Sequence, residues 1–211
     1  GRGLSIGVAM DEAFNFYYRD NLELMELAGA RVVPFSPVHD REVPEVDGIY
    51  IGGGYPELYS SELSTNEGMK RSLLEAHERD IPMYAECGGL MYLAREIEWE
   101  GERREMVGLV PGRARRGPVR VVSYVHGSLS RGCILGEAGR AIMGHEFHHS
   151  EILLEDDVEF AIRLERGAGI IDGLDGICEG RMVAAYTHIH SASYRGFPAR
   201  FLEACRDDRA K

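Results

Sequence analysis

The chain has 211 residues, with 24 basic against 35 acidic side chains and a net charge of -11. Its hydrophobic content of 44% supports a sizeable core and a soluble, globular class. The acidity argues against nucleic acid as a partner, and no apolar run approaches the ~18 residues needed to span a membrane. Four cysteines without a CxxC pair fit a reducing cytoplasm better than a disulfide framework or zinc ribbon.

In chain order, residues 4–9 read as a short buried strand. Residues 17–28 read as a helix with Leu22, Met25 and Leu27 apolar and Gly29 as its stop signal. A strand over 31–35 closes at Pro34 to Pro37, and a strand over 47–51 runs into Gly52-Gly53-Gly54. Residues 66–79 form a helix with Leu73, Leu74 and Ala76 on one side. An apolar strand then ends at Glu86, and a new helical pattern begins after Gly88. Strands alternating with helices in this way predict βαβ units around a parallel sheet. The basic cluster Arg113-Ala114-Arg115-Arg116 reads as a solvated loop.

Beyond Gly101 the signals turn antiparallel. Strands are expected over 119–126, 146–154, 160–164, 176–179 and 182–187, with Gly180-Arg181 as a two-residue hairpin turn. A helix over 198–206, with proline in its first turn, closes the chain. No repeat or linker interrupts it, so residues 1–211 are read as one domain. Cys178 and Cys205 read as small core residues, and Cys133 as a loop residue.

Cys87 carries the chemistry. It stands where a strand meets a glycine-flanked turn into a helix, a junction that strains the backbone and presents a side chain outward. The following helix aims free N–H groups at the sulfur and favours thiolate, which makes a nucleophile in need of a base. Among eight histidines the preferred base is His188, at the C-terminal end of a strand, the edge where open α/β sheets place their sites. A lone strand-end histidine is more often structural. His188 and His190, spaced by two on one strand face, raise the odds of a role. The Gly52-Gly53-Gly54 turn also leaves a strand end, and its N–H groups with that of Gly88 make a candidate oxyanion hole. The stretch His145-Glu146-Phe147-His148-His149 matches the zinc-protease pattern HExxH. That chemistry needs a helix, whereas the surrounding residues pattern as a strand, where His145 and His149 would lie ~13 Å apart. A polar strand end, or contact with an acidic substrate, is the preferred reading.

Four stretches together, Ala85-Glu86-Cys87-Gly88-Gly89-Leu90-Met91-Tyr92-Leu93, Gly52-Gly53-Gly54-Tyr55-Pro56-Glu57, Gly144-His145-Glu146-Phe147-His148 and Tyr186-Thr187-His188-Ile189-His190, resemble the C-terminal glutaminase domain of cobyrinate a,c-diamide synthases. The resemblance runs from about Ser5 to the last helix. It implies a flavodoxin-like class I glutamine amidotransferase fold: an α/β, mostly parallel sheet with helices on both faces and more antiparallel strands in the C-terminal half. It implies Cys87 as nucleophile, His188 as the residue that activates it, and the backbone of Gly53, Gly54 and Gly88 as oxyanion hole. Glutamine is the implied substrate, and no metal or cofactor is implied for this domain. ATP and Mg2+ are expected for the full-length enzyme, in a synthetase domain N-terminal to this one or on a separate chain, with a tetrapyrrole substrate at the domain interface.

No GxxxxGK[ST] phosphate loop occurs in the sequence, which places ATP and tetrapyrrole binding mainly outside these residues. Many class I glutaminases carry a glutamate two residues after the histidine. His190 stands there, leaving a Cys–His dyad or a partner elsewhere. The glutamine often found after the elbow is replaced near Met91. Glu57 is a candidate grip for the amino group of substrate glutamine, and His145, His148 and His190 are candidates for substrate or interface contact. A second copy of the chain is a further candidate partner. Nickel tetrapyrrole synthases carry similar domains, and PfpI-type peptidases share the elbow. An inactive binding module with a structural Cys87 is a third class.

Overall fold

The computed structural model describes residues 3–194 and 196–207. In chain order its strands are β1 (Leu4–Ala9), β2 (Phe14–Phe16), β3 (Ala30–Phe35), β4 (Gly48–Ile51), β5 (Gly53–Gly54), β6 (Met83–Glu86), β7 (Ala94–Trp99), β8 (Glu102–Glu105), β9 (Val110–Leu129), β10 (Ala141–Leu154), β11 (Phe160–Arg166), β12 (Leu174–Glu179), β13 (Met182–Ala185) and β14 (His188–Ile189). Its helices are α1 (Arg19–Leu27), α2 (Ser60–Thr65), α3 (Glu67–Glu78), α4 (Gly88–Leu93) and α5 (Phe197–Asp207).

One twelve-stranded sheet runs β14-β10-β9-β11-β12-β13-β6-β4-β1-β3, with β7 and β8 branching from β9. The strands β3-β1-β4-β6-β13 are parallel and stand in the flavodoxin-like order 2-1-3-4-5. From β13 to β14 the pairing is antiparallel, and the branch strand β7 joins β9 in parallel. β1, β4, β6 and β13 are buried along their whole length, as strands covered on both faces must be. On one face Met25 of α1 and Phe197 and Phe201 of α5 pack over Tyr50 and Tyr84. On the other, Leu73 and Ala76 of α3 and Leu90 of α4 pack over Ile49, Ile51 and Ala85. The helices therefore lie on both faces, as expected. Asn66 caps α3 by accepting the Met69 N–H at 3.3 Å. Pro34 sits inside β3 rather than ending it, which is tolerated because β3 is the sheet's edge.

The sequence expectations need four corrections. Residues 113–116 are not a loop: they belong to β9, a 20-residue strand paired with β10, and Arg113 and Arg115 are ion-paired to Glu98 and Glu151. Alternation along that strand is masked because much of it is exposed on both sides. The β7–β8 hairpin was not expected; its turn is Glu100-Gly101, both with positive φ, 52° and 84°, as a type I′ turn requires. Leu27 of α1 is 83% exposed, and Asn21 takes the inward position beside Met25. The strand expected over 182–187 ends at Ala185. Gly180-Arg181 does join β12 to β13 in an antiparallel hairpin. Among the described residues no helix is long and apolar enough to cross a membrane.

Candidate active site

β6 delivers Cys87 to the C-terminal edge of the parallel sheet at φ 49°, ψ -97°. A non-glycine residue there carries strain on the order of 1–3 kcal/mol and persists only if its surroundings hold it. They do: Cys87 N donates to Ala185 O at 2.8 Å, Gly89 N to Gly52 O at 3.1 Å, and Met91 N to Cys87 O at 3.0 Å. Glycines make this contact possible. A Cβ on Gly88 would lie 2.9 Å from Gly54 N, and one on Gly89 would strike Ile51 O. The Gly52-Gly53-Gly54 turn is thus pressed against the start of α4. Cys87 is 7% exposed, and what it exposes opens into a cavity of about 360 Å3. Gly54, Glu57, Met91, His145, His148 and His188 line that cavity; Gly53 and Gly88 are next to lining residues, Gly54 and Cys87, and are not themselves part of the lining.

His188 arrives from the other direction. After β13, the N–H groups of Tyr186 and Thr187 both donate at 2.9 Å to the buried Asp175 carboxylate, which swings the chain out of the ladder. β14 then pairs with β10, with His188 opposite His145 and Ile189 opposite Gly144. The ring of His188 packs against the backbone of Gly53, where a Cβ would stand only 2.7 Å from its Cε1. It stacks on His145 at 4.9 Å and meets the edge of Phe16 at the same distance. Burial disfavours its charged form. Hydrogen bonding and charge from the Cys87 side chain, then from Glu86, outweigh that penalty and raise its pKa to about 10. Glu86 Oε2 lies 3.6 Å from His188 Nδ1, longer than a hydrogen bond but within ion-pair range.

The other histidines divide. His145 bonds Tyr18 Oη through Nδ1 at 2.7 Å, and burial together with the charge of His188 lowers its pKa. His148 is stacked on Tyr186 at 3.8 Å, with Nδ1 at 2.8 Å from Ser150 O and Nε2 buried without a hydrogen-bond partner; burial pushes it down to about 4. His149 reaches Glu57 at 3.3 Å and packs against the ring of Trp99, 5.3 Å between centroids. Burial raises the Glu57 carboxyl, and its Oε2 has no hydrogen-bond partner. His145 and His149 sit on strand β10 and both line the cavity, but they turn to different neighbours, Tyr18 and Glu57. His190 corrects an expectation: it does not share a strand face with His188. It lies outside the cavity lining, 3.6 Å from Asp20 and packed on Tyr18.

Sequence reasoning missed three residues that shape this site. Asp175 holds the segment that carries His188. Tyr18 holds His145. Glu86 touches His188 from beside Cys87, and its signal was visible as a lone carboxylate in the apolar run Met83-Tyr84-Ala85-Glu86.

Solved structures with this chain trace show the class. A chain of PurLQS from Thermotoga maritima matches with a TM-score of 0.74 at 15% identity, covering 98% of this chain and 99% of that one. A glutamine amidotransferase from the same organism matches at 0.63 and 14% identity, over 99% of this chain and 84% of that one. At that identity the likeness is one of fold, the class I glutamine amidotransferase fold. The sequence is more specific: residues 5–196 match the CobB/CobQ-like glutamine amidotransferase domain, and the chain belongs to that family. It is 50% identical over 218 residues to a cobyrinate a,c-diamide synthase of Methanosarcina barkeri, covering 97% of this chain and 44% of that protein. It is 39% identical over 209 residues to the synthase of that name from Salmonella typhimurium, covering 98% and 46%. The chain therefore spans less than half the length of these curated relatives.

Proposed function

We propose that these 211 residues act as one glutaminase unit that releases ammonia from glutamine for the amidation of the a and c carboxylates of cobyrinate. The observation that carries this reading is the strained Cys87 on a cavity wall that His188 also lines, with the Cys87 side chain and Glu86 raising the pKa of that ring. The Cys87 sulfur attacks the carboxamide carbon of glutamine, and N–H groups of the Gly53-Gly54 turn and Gly88 receive the oxyanion. The C–N bond breaks as His188 gives its proton to the nitrogen, and ammonia leaves a thioester on Cys87. Neutral His188 then takes a proton from water, the hydroxide cleaves the thioester, and glutamate leaves. The raised pKa of His188 suits it to the acid role. The buried, unpaired Oε2 of Glu57 suits the substrate ammonium.

Activation of the carboxylates, which needs ATP and Mg2+, is assigned to the part of such a synthase that lies outside the span of this chain. Val122 and Tyr124 oppose Phe147 and His145 across the β9–β10 ribbon, so they share the face that looks onto the cavity. Val122, Tyr124 and Phe147 are 64%, 76% and 40% exposed. We assign this apolar rim to contact with the synthetase part.

The test is turnover. The chain should convert glutamine to glutamate and ammonia, and a diazo-ketone analogue of glutamine should label Cys87 and spare Cys133, Cys178 and Cys205. Label spread over all four thiols, or turnover of peptides in place of glutamine, would overturn the reading.

A further inference from the structure

We infer that Glu86 is the third member of this site: a positioning residue whose buried carboxylate fixes the His188 ring with Nδ1 toward itself, leaving Nε2 for the Cys87 sulfur. The inference rests on the reading of His188 as the proton donor.

Four observations carry it. First, the position two residues after the histidine, where many class I glutaminases carry a glutamate, holds His190, and that side chain is engaged with Asp20 and Tyr18. Second, Glu86 is 1% exposed, and its oxygens are pinned by three donors: Tyr84 Oη at 2.8 Å and Ile189 N at 2.9 Å on Oε1, and Tyr50 Oη at 2.8 Å on Oε2. A carboxylate so held cannot swing away. Third, the one nitrogen of His188 that is buried without a hydrogen-bond partner is Nδ1, and it faces Glu86 Oε2 at 3.6 Å. Fourth, the titratable groups facing the ring are Cys87, Glu86, the stacked His145 and, further off, His148. Glu86 is the single carboxylate among them, so it is the counter-charge for the imidazolium. The bond to Ile189 N ties the same carboxylate to the residue next to His188, which locks the ring's base as well as its tip. A short closure of the 3.6 Å gap on substrate binding would complete the hydrogen bond.

Being adjacent in sequence, the nucleophile and the positioning carboxylate are delivered by one strand. Tyr84 and Glu86 point to one face of β6, and Cys87 follows directly at the elbow.

Glu86→Gln is the discriminating variant. Its amide oxygen can still receive Tyr84 and Ile189, and the Tyr50 hydroxyl, a donor to the other oxygen in the wild type, can rotate to accept from the new NH2, which preserves the packing. Its NH2 group then faces Nδ1 as a donor, so the ring must accept there and carry its proton on Nε2, the wrong tautomer for taking a proton from sulfur. The measurement is the pH dependence of Cys87 alkylation by iodoacetamide in the whole chain, beside glutamine turnover. The midpoint of alkylation is expected to move up by about one pH unit or more, and kcat to fall roughly 100-fold or more with KM within about three-fold. An alkylation profile that superimposes on the wild type overturns the inference, because a purely structural Glu86 would not move it. If the wild-type chain fails to turn over glutamine, the proposed function fails, and the alkylation profile still decides the role of Glu86. If Glu86→Gln does not fold, nitrogen NMR of 15N-histidine in the wild type and in Cys87→Ala decides instead. A His188 Nδ1 that stays protonated in both supports the inference, and an unprotonated Nδ1 overturns it.

Discussion

The elbow and the histidine cluster are built by opposite means. Cys87 is placed within the parallel half: by the buried strand before it and two glycines after it, braced by Ala185 O of the neighbouring strand β13 and by the Gly52-Gly53-Gly54 turn. His188 is placed by partners far away, with Asp175 holding its approach, Gly144 and His145 on β10 pairing with it, and Asn21 of α1 donating to Ile189 O at 2.8 Å. The strained half of the site is braced by adjacent parallel strands, and the other half is a product of register in the antiparallel ribbon. Cys87, the proposed nucleophile, needs only the parallel half to be in place, whereas His188, the proposed proton donor, depends on the antiparallel half being in register.

The contrast can be broken most sharply at its two centres. Cys87→Ala should abolish glutamine-dependent activity, by about 10^3-fold or more, in the intact synthase while sparing amidation from added ammonia. His188→Asn should cost roughly 10^2- to 10^4-fold in glutamine turnover with little change in KM. Assays of the two variants with glutamine and with ammonium salts check both outcomes.

A register test comes next. A Cβ on Gly144 would strike the carbonyl oxygen of His188. Gly144→Ala should therefore push β14 off β10, lowering turnover roughly 100-fold and stability by about 1–3 kcal/mol by denaturant melts. Gly117→Ala, on the same ribbon, would meet nothing closer than 3.4 Å and should change neither.

The two buried histidines also predict opposite pH effects. His148 is neutral when folded, with a pKa near 4 against 6.5 for a free ring. Its contribution is complete above pH 6.5 and is lost as pH falls toward 4, by about 3 kcal/mol at most. His148→Leu should flatten that acid loss in melts across the range. His188, raised to about 10, contributes below 6.5 and loses its contribution as pH rises through 10. A His148 variant with an unchanged acid limb would show that the ring is charged in its pocket.

The same contrast explains how much was legible in the sequence. The parallel half could be read because each strand is a continuous apolar run bounded by glycine or proline, and each helix had a stop or a cap, Gly29 and Asn66. Cys87 and the glycine turn could be read for the same reason. The β9–β10 ribbon could be read only in part: the strands expected over 119–126 and 146–154 fall within it, but Arg113, Arg115 and Arg116 interrupt the pattern of its first half, and a stretch exposed on both sides has no alternation to detect. Glu86 was hidden differently. Its neighbours in the chain identify a strand, but its partners Tyr50, His188 and Ile189 are 36 or more positions away, and no spacing rule joins them. His190 misled because period-two logic assumes that the strand continues, and β14 stops at Ile189.

Trp99 is the single tryptophan of the chain, and its ring rests on His149, which in turn pairs with Glu57 on the cavity wall. An ammonium that takes Glu57 away from His149 must change the electrostatic surroundings of that indole. The molecule thereby carries a built-in optical gauge of occupancy: its intrinsic emission should respond to glutamine in Cys87→Ala, where nothing is consumed, and should stay flat in Glu57→Gln.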